Sequence, residues 1–252
     1  DDKKHGKYTE WYENGQIKLV GNVKDGEFDG KYTDWYENGQ MNYEANYKDG
    51  KLDGKITGWN ENGQIDQKET YKGGNLVNET KYTHYENGQM NYEVNYKDGK
   101  EHGKYTEWYE NGQIKVEGNS KDGEFDGKKT EWFENGQIKV EGNVKDGNYI
   151  SAIQYEYLVN GRIYRKINFG MEGNYINEIR YFHFENGQIS NEQYFKVDKV
   201  HGTSTQWYEN GQMHYEANYK DGKLDGVWTE WEENGQISQL DDYKDDKLIG
   251  IL

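Results

Sequence analysis

Residues able to do chemistry are plentiful here, but they recur with a period instead of clustering. The chain has six His, 47 Asp and Glu, 31 Lys and Arg, and no Cys. Without Cys there is no thiolate nucleophile, no disulfide framework and no Cys-ligated metal. His5, His102 and His201 occupy one slot of a repeating pattern. The same slot in neighbouring repeats would lie about 9.6 Å away, two strand spacings. Zinc–nitrogen bonds of ~2.0–2.1 Å rule out a metal shared across that distance. These His are expected to support turns, and His84 and His183, standing where other repeats hold Trp, to fill aromatic packing positions. A general acid–base pair needs burial or a like-charge neighbour in a cleft, and a repeat ribbon offers no obvious cleft. The G-x-S-x-G elbow, the phosphate-binding G-x-x-x-x-G-K-[ST] loop and the D-x-D-x-D-G calcium loop are all missing. The expectation is a non-enzyme with no catalytic residues, no metal and no cofactor.

Two features suit binding. Trp11, Trp35, Trp59, Trp108, Trp132, Trp207 and Trp231 recur as a column. Such a column could stack on sugars or choline-like cations, or be covered by lysine stems paired with it, as Trp11 with Lys18 and Trp108 with Lys115. The second feature is residues 148–201, where the pattern breaks and all three arginines of the chain sit. Tyr157, Arg162, Tyr164, Arg165, Arg180, Tyr181, Phe182 and His183 are the candidate partner-binding residues there. Aromatic residues and Arg are the types enriched at interface hot spots. The plainer alternative is drift, with extra apolar residues repairing lost Tyr and Trp packing.

What positions these residues is a repeat. Glu-Asn-Gly-Gln places its Asn at 14, 38, 62, 87, 111, 135, 186, 210 and 234, with Asn160-Gly161-Arg162 as a degraded copy. Lys-Asp-Gly follows 11 residues later, as at Asp25-Gly26 and Asp49-Gly50. A fixed period of this length means stacked units, here ten of about 24 residues filling 1–252 as a single array. Asn-Gly and Asp-Gly are strong hairpin signals, and the absence of Pro suits paired strands. The predicted fold is all-β: an elongated antiparallel meander of about twenty strands, a twisted single sheet. Two-residue loops at both turns would put Tyr8, Tyr12, Ile17, Leu19, Val23 and Phe28 on a core face. Thr9, Trp11, Glu13, Gln16 and Lys18 would lie opposite. The same register pairs Gly21 with Gly30.

Composition limits the core. Leu, Ile, Val and Phe make up 41 of 252 residues and the net charge is −16, below the roughly 20% apolar content at which charged chains usually fold. The 24 Tyr and 8 Trp compensate, burying large areas at low entropy cost. The acidic balance disfavours nucleic acid, and no apolar run approaches the ~18–20 residues of a membrane span. Exposed sheet edges invite edge-to-edge self-association. Asp1-Asp2-Lys3-Lys4 could blunt one edge, whereas the apolar Leu248-Ile249-Gly250-Ile251-Leu252 is expected to fold back or to lead into further chain.

Units such as Tyr47-Lys48-Asp49-Gly50-Lys51-Leu52-Asp53-Gly54-Lys55 and Trp108-Tyr109-Glu110-Asn111-Gly112-Gln113 resemble MORN repeats. They are most similar to the bacterial variant typified by YwqK-type antitoxin proteins. The resemblance implies a hairpin ribbon. For function it implies an antitoxin or immunity-like protein, whose acidic surface would engage a basic protein toxin. The alternative it leaves open is an exported surface repeat protein acting as adhesin, scaffold or carbohydrate binder. The first reading implies a cytoplasmic protein, the second a secreted or surface one whose precursor has a signal peptide. Lipid binding, associated with the eukaryotic branch, fits poorly with a charge of −16.

Overall fold

The computed structural model describes residues 3–252; Asp1 and Asp2, half of the proposed edge-blunting tip, lie outside the described residues. These residues form 22 β-strands, with one 3-10 turn at Met171–Gly173 and no α-helix among them. The chain divides into two compact units, Asp1–Gln137 and Ile138–Leu252. In the first, strands from Gly6–Trp11 to Glu124–Trp132 pair antiparallel with their neighbours in chain order. The second repeats that meander from Ile138–Lys145 to Lys247–Ile251. The apolar tail does not fold back: Leu248 pairs with Tyr243 and Ile251 with Asp241 in an edge strand.

The two turns of a repeat differ in kind. At Asp25-Gly26 both residues have positive φ, 54° and 90°, and Lys24 faces Glu27. This is the predicted two-residue type I′ loop. The Asn-Gly turn is not. The Gly15 N–H donates to the Tyr12 carbonyl at 3.0 Å and the Tyr12 N–H donates to the Gln16 carbonyl at 2.8 Å. Only the glycine, at φ 85°, is left-handed. Glu13-Asn14-Gly15 is therefore a three-residue loop, a type I turn closed by a bulge.

That extra residue corrects the predicted faces. Glu10 still faces Leu19, but Trp11 now faces Ile17 instead of Lys18. Ile17 leaves the core face for the Trp column, and Lys18 approaches Glu10 at 3.8 Å. A second correction concerns Gly21, which pairs with Tyr32, not Gly30. Gly30 sits at φ 101°, a bulge conformation closed to most residues with a Cβ.

One face carries the core in each unit. In the first, cross-strand rows run Tyr8–Gly21–Tyr32–Ala45 and Leu19–Asp34–Tyr43–Gly58. Ala45, Ile56 and Val94 are buried there. Phe28 meets Tyr32 edge-to-face at 5.0 Å and Tyr47 at 5.7 Å, as does Tyr105 with Phe125 at 5.1 Å. Such pairs contribute about 0.5–1.5 kcal/mol each beyond area burial. In the second unit Val144, Ala152, Ile167, Phe195 and Ala217 are buried, and Tyr215 stacks on Trp228 at 4.8 Å. The aromatic ladder replaces the aliphatic interior that the composition lacks.

Candidate functional site

Most of the conspicuous motif residues tie one repeat to the next. The Tyr12 hydroxyl donates to the Trp35 carbonyl at 2.6 Å, and Tyr36, Tyr85, Tyr109 and Tyr208 do the same to the Trp 23 residues on. Asn38 Nδ2 donates to the Glu61 carbonyl at 2.8 Å, as do Asn87 and Asn111 to Glu110 and Glu134. At the other margin His5 Nδ1 accepts the Asp25 N–H and His201 Nδ1 the Asp221 N–H, both at 3.3 Å. Asp29 and Asp53 accept equivalent bonds from Asp49 and Gly73. The His slot thus supports turns, and Asp can replace His because either side chain supplies an acceptor. Among the described residues no group of three or more His, Asp or Glu could hold a metal ion.

The Trp column is structural along its backbone; the Trp11 ring is exposed and the other rings are half-buried. Trp11 faces Ile17, Trp35 faces Met41, Trp59 faces Ile65 and Trp108 faces Ile114. Trp207 and Trp231 face Met213 and Ile237. Lys115 meets Glu107 at 2.7 Å rather than capping Trp108. Trp132 lines a cleft of about 550 Å³ with Lys104, Glu117, Asn119, Lys128 and Thr130.

The divergent segment keeps the Asn-Gly type of turn at Leu158–Arg162 but has the 3-10 turn Met171–Gly173 in place of an Asp-Gly loop, and its arginines turn inward. Glu178, 1% exposed, sits between Arg165, whose Nε lies 2.7 Å away, and Arg180, whose Nε lies 2.5 Å away. Arg165 also approaches Glu156 at 3.5 Å, and Arg180 approaches Asp198 at 3.7 Å and lies over the Phe195 ring. Arg162 donates to the Phe184 carbonyl at 3.3 Å. Tyr157 donates to the Ile138 carbonyl at 2.9 Å. Tyr164 donates to Glu156 at 2.7 Å. Tyr164, Arg165, Arg180, Tyr181 and Phe182 line one cleft of about 320 Å³; Tyr157, Arg162 and His183 stand outside it. His183 faces Ile189, and burial together with Arg162 lowers its pKa below the usual imidazole value.

A feature missed in the sequence lies in the first letter of the Glu-Asn-Gly-Gln motif. Glu13, Glu37, Glu61, Glu86, Glu110 and Glu134 are all exposed on the Asn-Gly margin of the first unit. Glu185, Glu209 and Glu233 repeat the row in the second. None of these nine has an ion-pair partner among the described residues, although many other carboxylates do. Neighbouring members are one repeat apart, about 9.6 Å. The opposite margin mixes Lys24, Lys48 and Lys97 with the Asp of each turn. The signal was present in the motif; what the sequence did not show is that no ion pair among the described residues engages it.

The family model for the MORN repeat variant matches eight segments: 4–25, 28–49, 52–72, 74–98, 101–122, 125–146, 200–221 and 224–245. The chain belongs to the MORN repeat variant family. The unmatched interval between 146 and 200 is the divergent stretch, so this MORN array departs from its family where its arginines sit. No curated protein matches the chain. Among solved structures, a crystal structure of TcdB2-TccC3-Cdc42 is similar at 13% identity and a TM-score of 0.34, over 96% of this chain and 16% of that one. A Photorhabdus luminescens Tc holotoxin pore is similar at 13% identity and a TM-score of 0.32, over the same 96% and 16%. The MORN chain therefore spans about a sixth of the length of the chains it matches.

Proposed function

We propose that this MORN repeat chain binds a basic protein through its glutamate row, as an antitoxin- or immunity-like protein that neutralises a toxin, without catalysis of its own. The observation carrying this reading is the row itself: periodic, exposed carboxylates without an ion pair among the described residues. A net charge of −16 extends the attraction beyond the contact, steering a basic partner and rejecting acidic ones. Tyr164 and Phe182, 37% and 48% exposed, are the members of the divergent cleft best placed to add apolar contact.

A second reading, a surface protein that binds carbohydrate, is favoured by the cleft at Trp132. An indole face beside Glu117, Asn119 and Thr130 offers stacking together with hydrogen bonding.

Affinity capture from lysate and from isolated cell envelope separates the two. The glutamate reading predicts a basic protein retained at physiological salt and released at ~1 M, where the Debye length is about 3 Å. Replacing Glu37, Glu61, Glu86 and Glu110 with Gln should weaken that capture at least about tenfold, mainly through the association rate. Retention unaffected by both salt and substitution contradicts it. Envelope glycan retained at high salt and lost in Trp132→Ala would favour the second reading.

A further inference from the structure

The dipeptide that builds the hairpins is also chemically reactive. The backbone nitrogen of Gly can attack Cγ of the preceding Asn, expelling ammonia and closing a five-membered succinimide. Water then opens the ring at one carbonyl or the other, leaving aspartate or isoaspartate. One ammonia leaves, one water is consumed, and no oxidant or reductant takes part. Glycine, lacking a Cβ, hinders the attack least. The carboxamide must swing over its own following peptide nitrogen, so hydrogen bonds that hold it elsewhere oppose the reaction.

Nine of the ten turns hold their Asn in that way. Asn38 Oδ1 accepts the Gln40 N–H at 2.9 Å, and the same bond recurs at Asn14, Asn87, Asn111, Asn135, Asn160, Asn186, Asn210 and Asn234. Eight of these also use Nδ2, five on a carbonyl of the next turn and three on the nearby Gln.

Asn62 does neither. Its repeat has Asn60 in the slot that elsewhere holds Tyr. Asn60 Oδ1 accepts the Gln64 N–H at 3.0 Å, taking the bond that Asn62 would make. Gln64 Nε2 donates to the Gly88 carbonyl at 2.7 Å, taking over the tie to the next turn. The Asn62 side chain is left exposed without a hydrogen bond among the described residues, while Gly63 keeps the same turn bond to Asn60 as its counterparts.

We propose that Asn62 is the modification site of this chain, the Asn-Gly turn that deamidates ahead of the others. The product adds a negative charge beside Asp66 in the cleft that Asn62 lines with Gln64 and His84. The isoaspartate form also lengthens the main chain by one methylene inside a three-residue loop. The modification would deepen the acidic margin at one repeat and loosen that hairpin.

The test is peptide mass mapping of the intact folded chain after incubation in mildly alkaline buffer. Asn62 is expected to convert about tenfold faster than Asn38 or Asn87. Tenfold corresponds to ~1.36 kcal/mol in a barrier, within the net worth of a hydrogen bond. In denaturant the turns should react at similar rates. Asn60→Tyr should slow Asn62 to the level of the others. Tyr36→Asn, which copies the exceptional slot one repeat earlier, should accelerate Asn38. Equal rates across the native turns would overturn the proposal, as would an Asn62 rate unchanged in a folded Asn60→Tyr chain together with an unaltered Asn38 in Tyr36→Asn.

Discussion

At the scale of single residues, the arginines show how composition and environment can diverge. Arg165 and Arg180 are directly opposed across two strands, a like-charge contact that would be repulsive by itself. Glu178 resolves it by bonding to both. Glu178→Gln should destabilise the second unit by about 2–3 kcal/mol, read from denaturant midpoints. That is somewhat less than the ~3–5 kcal/mol of a fully buried pair, because the two Arg side chains are 31% and 35% exposed. A shift below about half a kcal/mol would show that water, not Glu178, neutralises them. The sequence marked these arginines as conspicuous but could not show which way they point, because nothing in Ile176-Asn177-Glu178 announces a buried carboxylate. The slot of His5, His102 and His201 was legible, because its recurrence in separate repeats, too far apart to share a metal, already implied a structural role at a turn.

At the scale of elements, the Asp-Gly hairpins could be read directly, since both central residues must take positive φ. The Asn-Gly hairpins could not. The same dipeptide serves a two-residue loop and a three-residue loop with a bulge, and the two differ by one residue of register. One residue is enough to move Ile17 and its counterparts to the other face. Packing between hairpin strands carries its own record in this chain. A Cβ on Gly118 would come within 3.0 Å of the Phe125 ring, and one on Gly21 within 2.7 Å of Phe28. Where the slot holds Ala45 or Ala217 instead, the position equivalent to Phe28 holds Leu52 or Leu224. Gly118→Ala should therefore cost about 1–3 kcal/mol by overpacking, and adding Phe125→Leu should recover much of it. A double variant no better than the single one would mean that the glycine is needed for its backbone alone.

At the scale of the whole molecule, stability rests on tyrosine. Burial raises the pKa of Tyr32, Tyr43, Tyr105 and Tyr155 well above the ordinary 10.0, with nearby carboxylates and tyrosines adding to it. A folded-state pKa above the unfolded one means that this stabilisation is complete below pH ~10 and is lost as pH rises beyond it. Phenolate absorbance should lag in the folded chain above pH ~10 and then rise together with loss of the β-sheet circular dichroism. Titration of all 24 Tyr near 10 with the sheet intact would refute the ladder as a source of stability. The acidic margin belongs to this scale too. Nine of the ten repeats contribute one exposed Glu, and only the stacking within each unit makes them a row.

The most direct test of that row is the association rate of the chain with its captured basic partner, measured across ionic strength, for the native sequence and for the Glu37, Glu61, Glu86 and Glu110→Gln variant. The native rate should fall steeply with salt, and the variant should start about tenfold lower and fall less steeply. Identical rates and identical salt slopes for the two would contradict binding through the glutamate margin.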